Sequence, residues 1–294
     1  MKFRAIAFAL LCAGARQALA DDTEAASAAA LRARYDALQE RLDHNQFQRP
    51  LYLDSGETPG KVTGDIYARI NAPFESAGVA LGIPADWCEI LSLHTNTKAC
   101  RVSNASPQTV LSLWIGTKYD QPLSNASQVD LAYGVRTRTA DYLQVSLSAK
   151  DGPMSTRDYR IALEAVPLQN GQTFIHLSFS YGYGNLGRIA MQTYLATLGR
   201  NKVGFTVVGV QPDGEVRHIG GLRGLVERNT MRYYLAIEAF LGALSASPQV
   251  RFENRIHDWY AASELYPRQL HEIEQGEYLD MKRKENARQL AGPG

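Results

Sequence analysis

The sequence predicts an α+β domain: an antiparallel β-sheet wrapped around a long C-terminal helix, with helical N- and C-terminal extensions. Three observations carry this. From Val62 to Gly184 most segments place apolar residues at every second position, the period of a half-buried strand. The breaks between them are turn-like, such as Asp151-Gly152-Pro153 and Gln169-Asn170-Gly171, so neighbouring strands should pair antiparallel. Later, VERNTMRYYLAIEAFLGAL repeats Val226, Thr230, Tyr233, Ile237, Phe240 and Leu244 at helical intervals, an apolar stripe fit to cover a sheet.

The chain opens with Lys2 and Arg4 before AIAFALLCAGA, then Ala18-Leu19-Ala20 before Asp21-Asp22. A charged start, a short apolar stretch and small residues at minus three and minus one are what the export machinery reads. Residues 1–20 are therefore expected to be a signal peptide, and the mature protein periplasmic or secreted. A competing lipoprotein reading would acylate Cys12, but Leu11 stands where a small residue is expected. No window reaches the roughly 20 apolar residues of a membrane helix, so no transmembrane segment is expected after cleavage.

Residues 21–60 read as an N-terminal helical arm and linker. The arm is rich in Ala, Glu and Arg, with Leu31, Tyr35, Leu38 and Leu42 at helical spacing, and DSGETPGK is the link. The main domain is expected over 61–247. Its first strand puts Val62, Gly64, Ile66, Ala68 and Ile70 on one face and Tyr67 and Arg69 on the other. Pro73 suits a helix start, and two short helices follow, FESAGVAL and ADWCEILSL. Six strand-like runs come next: KACRVS, TVLSLWIGTKY, VDLAYGVRTRT, DYLQVSLSA, DYRIALEAV and TFIHLSFSYGYG. A further helix, GRIAMQTYLATLG, precedes KVGFTVVGV and the covering helix, whose Glu227, Arg228, Arg232 and Glu238 are expected at solvent or the domain rim. Residues 248–294 read as a helical appendage, with apolar Ile256, Trp259, Tyr260, Leu270 and Ile273, a break near Pro267, and MKRKENAR as a solvated face.

The 294 residues are 45% hydrophobic, enough for one large core or two modest ones. The formal net charge of +1 provides no field drawing the whole protein to nucleic acid, which is not an expected partner. After export only Cys88 and Cys100 remain, and an oxidising compartment favours a bridge between them, worth about 3 kcal/mol by chain entropy. Two buried free thiols are the alternative. Redox catalysis has no Cys-x-x-Cys pair to support it.

The strand ending in Ala72-Pro73, the short helices carrying Trp87 before Ile90-Leu91, the antiparallel meander and the closing helix together resemble the START-like (SRPBCC) superfamily, the helix-grip or polyketide-cyclase-like fold. The resemblance covers roughly residues 62–244. It implies an apolar cavity between sheet and helix, used mostly to bind or carry lipids, sterols and other hydrophobic molecules and sometimes to catalyse cyclisation. The family has no universal catalytic motif, so no catalytic residue is implied. The extra helix after Gly187, the disulfide and the flanks depart from its pattern.

Other motifs weigh less. Gly182-Tyr183-Gly184-Asn185-Leu186-Gly187 matches a dinucleotide fingerprint, but the following VGFTVV offers no acid for a ribose, Asp213 comes only in a later turn, and a meander lacks the parallel crossover. It reads as a glycine-rich bend. His44, His94, His176, His218, His257 and His271 are scattered, and HEIEQ lacks the second histidine of a zinc helix, so neither a metal nor a cofactor is expected.

Candidate ligand-binding residues are Trp114, Tyr133, Tyr142, His176, Tyr181 and Tyr233, where Tyr offers a ring with a hydroxyl handle; filling the core is the plainer role. Arg136, Arg138 and Arg188 are candidates for an anionic head group, or surface ion pairs. The leading expectation is an exported, non-catalytic protein binding a hydrophobic or amphipathic small molecule such as a lipid. An envelope scaffold capturing a protein partner through its helical extensions is the alternative. A cyclase or hydrolase is the third reading, and it requires a His or carboxylate with a perturbed pKa pointing into the cavity, His176 being the first candidate.

Overall fold

The computed structural model describes residues 27–104, 108–196 and 202–291. The expected signal peptide, residues 1–20, lies outside them. Helix α1 runs over 27–43. It is followed by β1 (Leu51–Thr58), β2 (Lys61–Ile70), α2 (Phe74–Ala80), α3 (Pro84–Ser92), β3 (Thr97–Ser103), β4 (Thr109–Ile115), β5 (Ser127–Arg138), β6 (Leu143–Asp151), β7 (Thr156–Pro167) and β8 (Thr173–Tyr183). Then come α4 (Asn185–Ala196), the hairpin β9 (Val207–Val210) and β10 (Val216–His218), and α5 (Gly221–Gly242), α6 (Pro248–Glu264), α7 (Pro267–Leu270) and α8 (Gln275–Leu290).

Strands β3 to β8 form the expected meander, and β2 returns to the free side of β8, so the eight-stranded open sheet has the order β1-β2-β8-β7-β6-β5-β4-β3. All neighbours are antiparallel, which leaves residues 182–187 as a bend without the crossover that a dinucleotide site needs. At Gly187 a side chain would crowd the Ser155 carbonyl, its Cβ falling 2.8 Å from that oxygen.

DSGETPGK is not a linker. Its first five residues finish β1, pairing Asp54↔Asp65 through Thr58↔Lys61, and Pro59-Gly60 makes the hairpin turn with Gly60 at φ +81. The reason is that β2, with β8 on one side, would otherwise leave its other ladder edge unpaired. An edge strand with a solvated end can carry the polar residues that make it read as a loop.

On the inner face of the sheet Val62, Ile66, Ala68, Leu143, Val145, Leu163 and Leu177 are fully buried. Helix α5 packs chiefly on β1, β2 and β8. Gly64 permits this approach, since a Cβ there would overlap Thr230 Oγ1 and stand 3.3 Å from Thr230 Cβ. The outer face is covered over β2, β7 and β8 by α1, whose Leu31, Leu38 and Leu42 pack with Phe174, Val166 and Tyr142. The helical spacing had predicted that stripe.

Two expectations about the helices require correction. Glu227, Arg228 and Arg232 of α5 are buried and Glu238 is half-buried, because the 203–206 segment and α6–α8 cover the side away from the sheet. Glu227 survives burial by accepting hydrogen bonds from Phe205 N (2.6 Å), Thr206 N (2.9 Å), Thr206 Oγ1 (2.6 Å) and Ser55 Oγ (2.6 Å). Residues 248–291 are likewise no appendage: Ile256, Trp259, Tyr260, Leu270, Ile273 and Tyr278 belong to the same apolar cluster as the sheet. Trp259 Nε1 donates to Arg232 O (3.1 Å) and Tyr278 Oη to Leu93 O (2.8 Å), fastening α6 and α8 to the domain. Within MKRKENAR, Met281, Lys282 and Glu285 are buried, so only part of that run is solvated.

Cys88 and Cys100 are bridged, with Cα atoms 5.3 Å apart, tying α3 to β3. Beside them Trp87 is buried and donates from Nε1 to Leu81 O (2.7 Å), a packing role.

Candidate functional site

A cavity of about 660 Å³ lies between α5 and residues of β4, β5, β7 and β8 on the inner face of the sheet. It follows from the topology. Gly64 draws α5 onto β1, β2 and β8, while the rest of the sheet continues past the helix through β7 to β3, and the space between is only partly filled. Leu113 of β4, Leu131 of β5, Ile161 of β7 and Phe179 of β8 form an apolar wall. They share a face because each pairs in register, Leu111↔Leu131 and Ile161↔Phe179 among the ladder partners.

Aromatic rings continue that wall. Tyr159 stacks on Tyr181 at 5.3 Å between centroids, and Phe179 meets Tyr233 of α5 edge-on at 5.2 Å. Burial holds the Tyr181 and Tyr233 phenols well above their usual pKa, so both are neutral. Tyr159 Oη lies 2.7 Å from Thr156 Oγ1, whereas the buried Tyr181 hydroxyl has no hydrogen-bond partner among the described residues. His94, also on the lining, is pushed well below 6.5 by burial and then by the charges of Arg232, Lys282 and Lys98; its Nδ1 accepts from Asn96 N at 3.1 Å.

The polar end of the cavity centres on Glu272. Arg232 Nη2 donates to Glu272 Oε1 at 2.6 Å, Lys202 Nζ lies 3.5 Å from the same oxygen, and Lys118 Nζ is 3.9 Å from Oε2 while donating to the Glu272 carbonyl at 2.7 Å. Lys202 also donates to His271 O. Burial lowers the Lys202 pKa, against the pull of Glu272. Arg228, one turn before Arg232, lines the same space. At the mouth, Tyr119 and Met154 are exposed, and Met154 and Ser155 both take φ +58 in the turn between β6 and β7.

Of the six candidate ligand residues, Tyr181 and Tyr233 line this cavity. Tyr133 is on the inner face but buried among core residues away from the lining, its hydroxyl pushed up to about 12 by burial. The other three are on the wrong side of the sheet. Trp114 is on the outer face with Arg101 over its ring at 5.2 Å. Tyr142 lies beneath α1 and donates to Glu164. His176 lies between inward Ile175 and Leu177, so strand alternation turns it outward, stacked on Tyr67 at 4.2 Å. His176 is therefore not an inward-facing candidate for a cyclase or hydrolase; the histidine on the cavity lining is His94.

The arginines proposed for a head group are also elsewhere. Arg136 donates to Ser146 Oγ (3.1 Å), and Arg136, Arg138 and Arg188 are exposed. Lys118, Lys202, Arg228 and Arg232 were missed. The available signal was a pair of arginines four residues apart on the helix expected to cover the sheet. Among the described residues no group of His, Cys, Asp and Glu is placed to hold a metal ion, and no helix is long and apolar enough to cross a membrane.

Outward His176 has a different role. Nε2 is 2.9 Å from Asp65 and Nδ1 3.1 Å from Glu164. Burial lowers its pKa, but those carboxylates outweigh it and raise the net value to about 8. A histidine titrating at about 8 folded and 6.5 unfolded stabilises the protein fully below pH 6.5, by about 2 kcal/mol, and loses that contribution as pH rises through 8. Urea unfolding at pH 6 and pH 9 should show this loss in the parent and not in His176→Gln; an equal loss in both would assign it to other groups.

The open antiparallel sheet, the long C-terminal helix packed on its inner face and the cavity between them have the arrangement of a helix-grip fold. Among solved structures the chain is similar to a START superfamily protein from Mycobacterium smegmatis, at 12% identity over 50% of this chain and 92% of that one, TM-score 0.31. It is similar also to norcoclaurine synthase from Thalictrum flavum (12%, 49% and 91%, 0.33) and to Ara h 8.0201 (10%, 66% and 99%, 0.35). No protein-family model matches the sequence, and no curated protein matches it significantly.

Proposed function

We propose that this is an exported, non-catalytic protein that binds a hydrophobic or amphipathic small molecule such as a lipid in the cavity between the sheet and α5. The observation that carries this reading is the cavity itself: about 660 Å³ lined on one side by Leu113, Leu131, Ile161 and Phe179. Ligand pockets fall in the range of about 300–1,000 Å³ and are mostly apolar with a few polar groups. Burying the ligand's apolar surface would supply about 25 cal/mol per Å² before ordering costs. The titratable side chains beside the apolar wall, Tyr181, Tyr233 and His94, are held neutral and suit orientation better than proton transfer. Export rests on the Lys2-to-Ala20 pattern, with which the Cys88–Cys100 bridge is compatible. A scaffold acting through free helical extensions has less support, because α6 and α8 spend their apolar faces in the core.

Titrating residues 21–294 with the neutral fluorophore N-phenyl-1-naphthylamine tests the reading. Leu131→Trp, which fills the cavity from β5, should weaken binding by at least about tenfold with little change in thermal midpoint. Equal affinities for parent and variant would refute a ligand site in this cavity.

A further inference from the structure

We propose that the ligand is an amphipathic anion, an alkyl chain ending in a carboxylate or phosphate, with its oxyanion held among Lys118, Lys202, Arg228 and Arg232. The inference rests on the cavity being a ligand site and adds the chemistry of the ligand's polar end.

The charge balance carries it. The described cavity lining has four cationic side chains and a single acidic one, Glu272. Arg232, Lys202 and Lys118 all crowd that carboxylate, at 2.6, 3.5 and 3.9 Å. One carboxylate can accept from three donors, but it cancels only one of their charges. Unbalanced charge in a partly desolvated site is unfavourable, and an incoming anion relieves it. Donors remain to meet one: Lys118 and Lys202 each have three ammonium hydrogens, of which the Glu272 and His271 carbonyls take one apiece. The buried Tyr181 hydroxyl lines the same cavity without a partner among the described residues and is near enough to Arg228 to feel its charge. It is a further donor for an oxyanion. Leu113, Leu131, Ile161 and Phe179 on the same lining carry no such groups and suit the alkyl chain, so the lining itself is amphipathic.

The test is displacement of N-phenyl-1-naphthylamine by three dodecyl compounds: dodecanoate, dodecyl phosphate and dodecanol. At least one anion should displace the probe at about tenfold lower concentration than dodecanol, the effect of one or two charge-assisted hydrogen bonds. Lys118→Met/Lys202→Met should remove most of that advantage and leave dodecanol unchanged, with the unfolding midpoint measured alongside. The better anion indicates whether a free fatty acid or a phosphate-bearing lipid is the natural form. Equal displacement by all three compounds, or an anion preference untouched by the double substitution, would overturn the head-group assignment while leaving the cavity as a binding site. Failure of the probe and of every dodecyl compound to bind would overturn both.

Discussion

Glu285→Gln is expected to destabilise the protein by about 3–5 kcal/mol, the cost of leaving buried charge uncompensated. Glu285 on α8 bridges two buried lysines from distant parts of the chain: Lys98 Nζ on Oε1 at 3.0 Å and Lys282 Nζ on Oε2 at 2.8 Å. Thr95 O and Met281 Sδ complete the ammonium shell of Lys98, and His94 O and Thr97 O that of Lys282. Burial already pushes Lys282 down to about 8 despite Glu285. Glutamine would retain one acceptor, point an amide N–H₂ at the second ammonium and leave two positive charges facing each other. Such a loss is a large share of an ordinary domain stability of about 5–15 kcal/mol. Urea unfolding of parent and variant measures it. Lys98→Met/Lys282→Met/Glu285→Leu should recover most of it, since a well-packed apolar triplet has no charges to compensate. A change below about 1 kcal/mol in Glu285→Gln would show that the cluster is solvated.

Gly64→Ala should cost about 3 kcal/mol and weaken ligand binding as well. The added Cβ would overlap Thr230 Oγ1, and the threonine cannot turn away freely because its hydroxyl donates to Val226 O at 2.8 Å and its side chain is fully buried. Helix α5 must then lift from β2, moving Tyr233, Arg228 and Arg232 together at the cavity. Thr230→Ala removes the clashing oxygen, so the double variant should be more stable than Gly64→Ala alone, a coupling that two independent sites would not show. Purely additive losses would place the effect of Gly64 in the unfolded chain instead.

How far the sequence could be read follows from the range of the interactions involved. Strands β2 to β8 were legible because alternation is a local property, and the α1 stripe likewise. Strand β1 was missed because its outer half is Asp, Ser, Gly and Glu, the composition of a loop, and its pairing depends on β2 already being in a sheet. His176 was misplaced although Ile175 and Leu177 on either side of it fix its face; applying the alternation would have turned it outward. The buried charges of α5 and α8 had no local sign, because Lys98 and Glu285 are 187 residues apart and each looks like a surface residue in its own segment. The cationic end of the cavity shows the same limit, since Lys118, Lys202, Arg232 and Glu272 meet only in the folded chain.

The cavity between the sheet and α5 is most directly tested as a ligand site by native mass spectrometry of the chain produced in bacteria and purified without denaturant. The expected spectrum carries, beside the polypeptide, a species heavier by a few hundred daltons that is lost on collisional activation or lipid extraction, and that Leu131→Trp depletes. A spectrum of bare polypeptide that stays bare after incubation with dodecanoate, dodecyl phosphate and dodecanol would contradict the account.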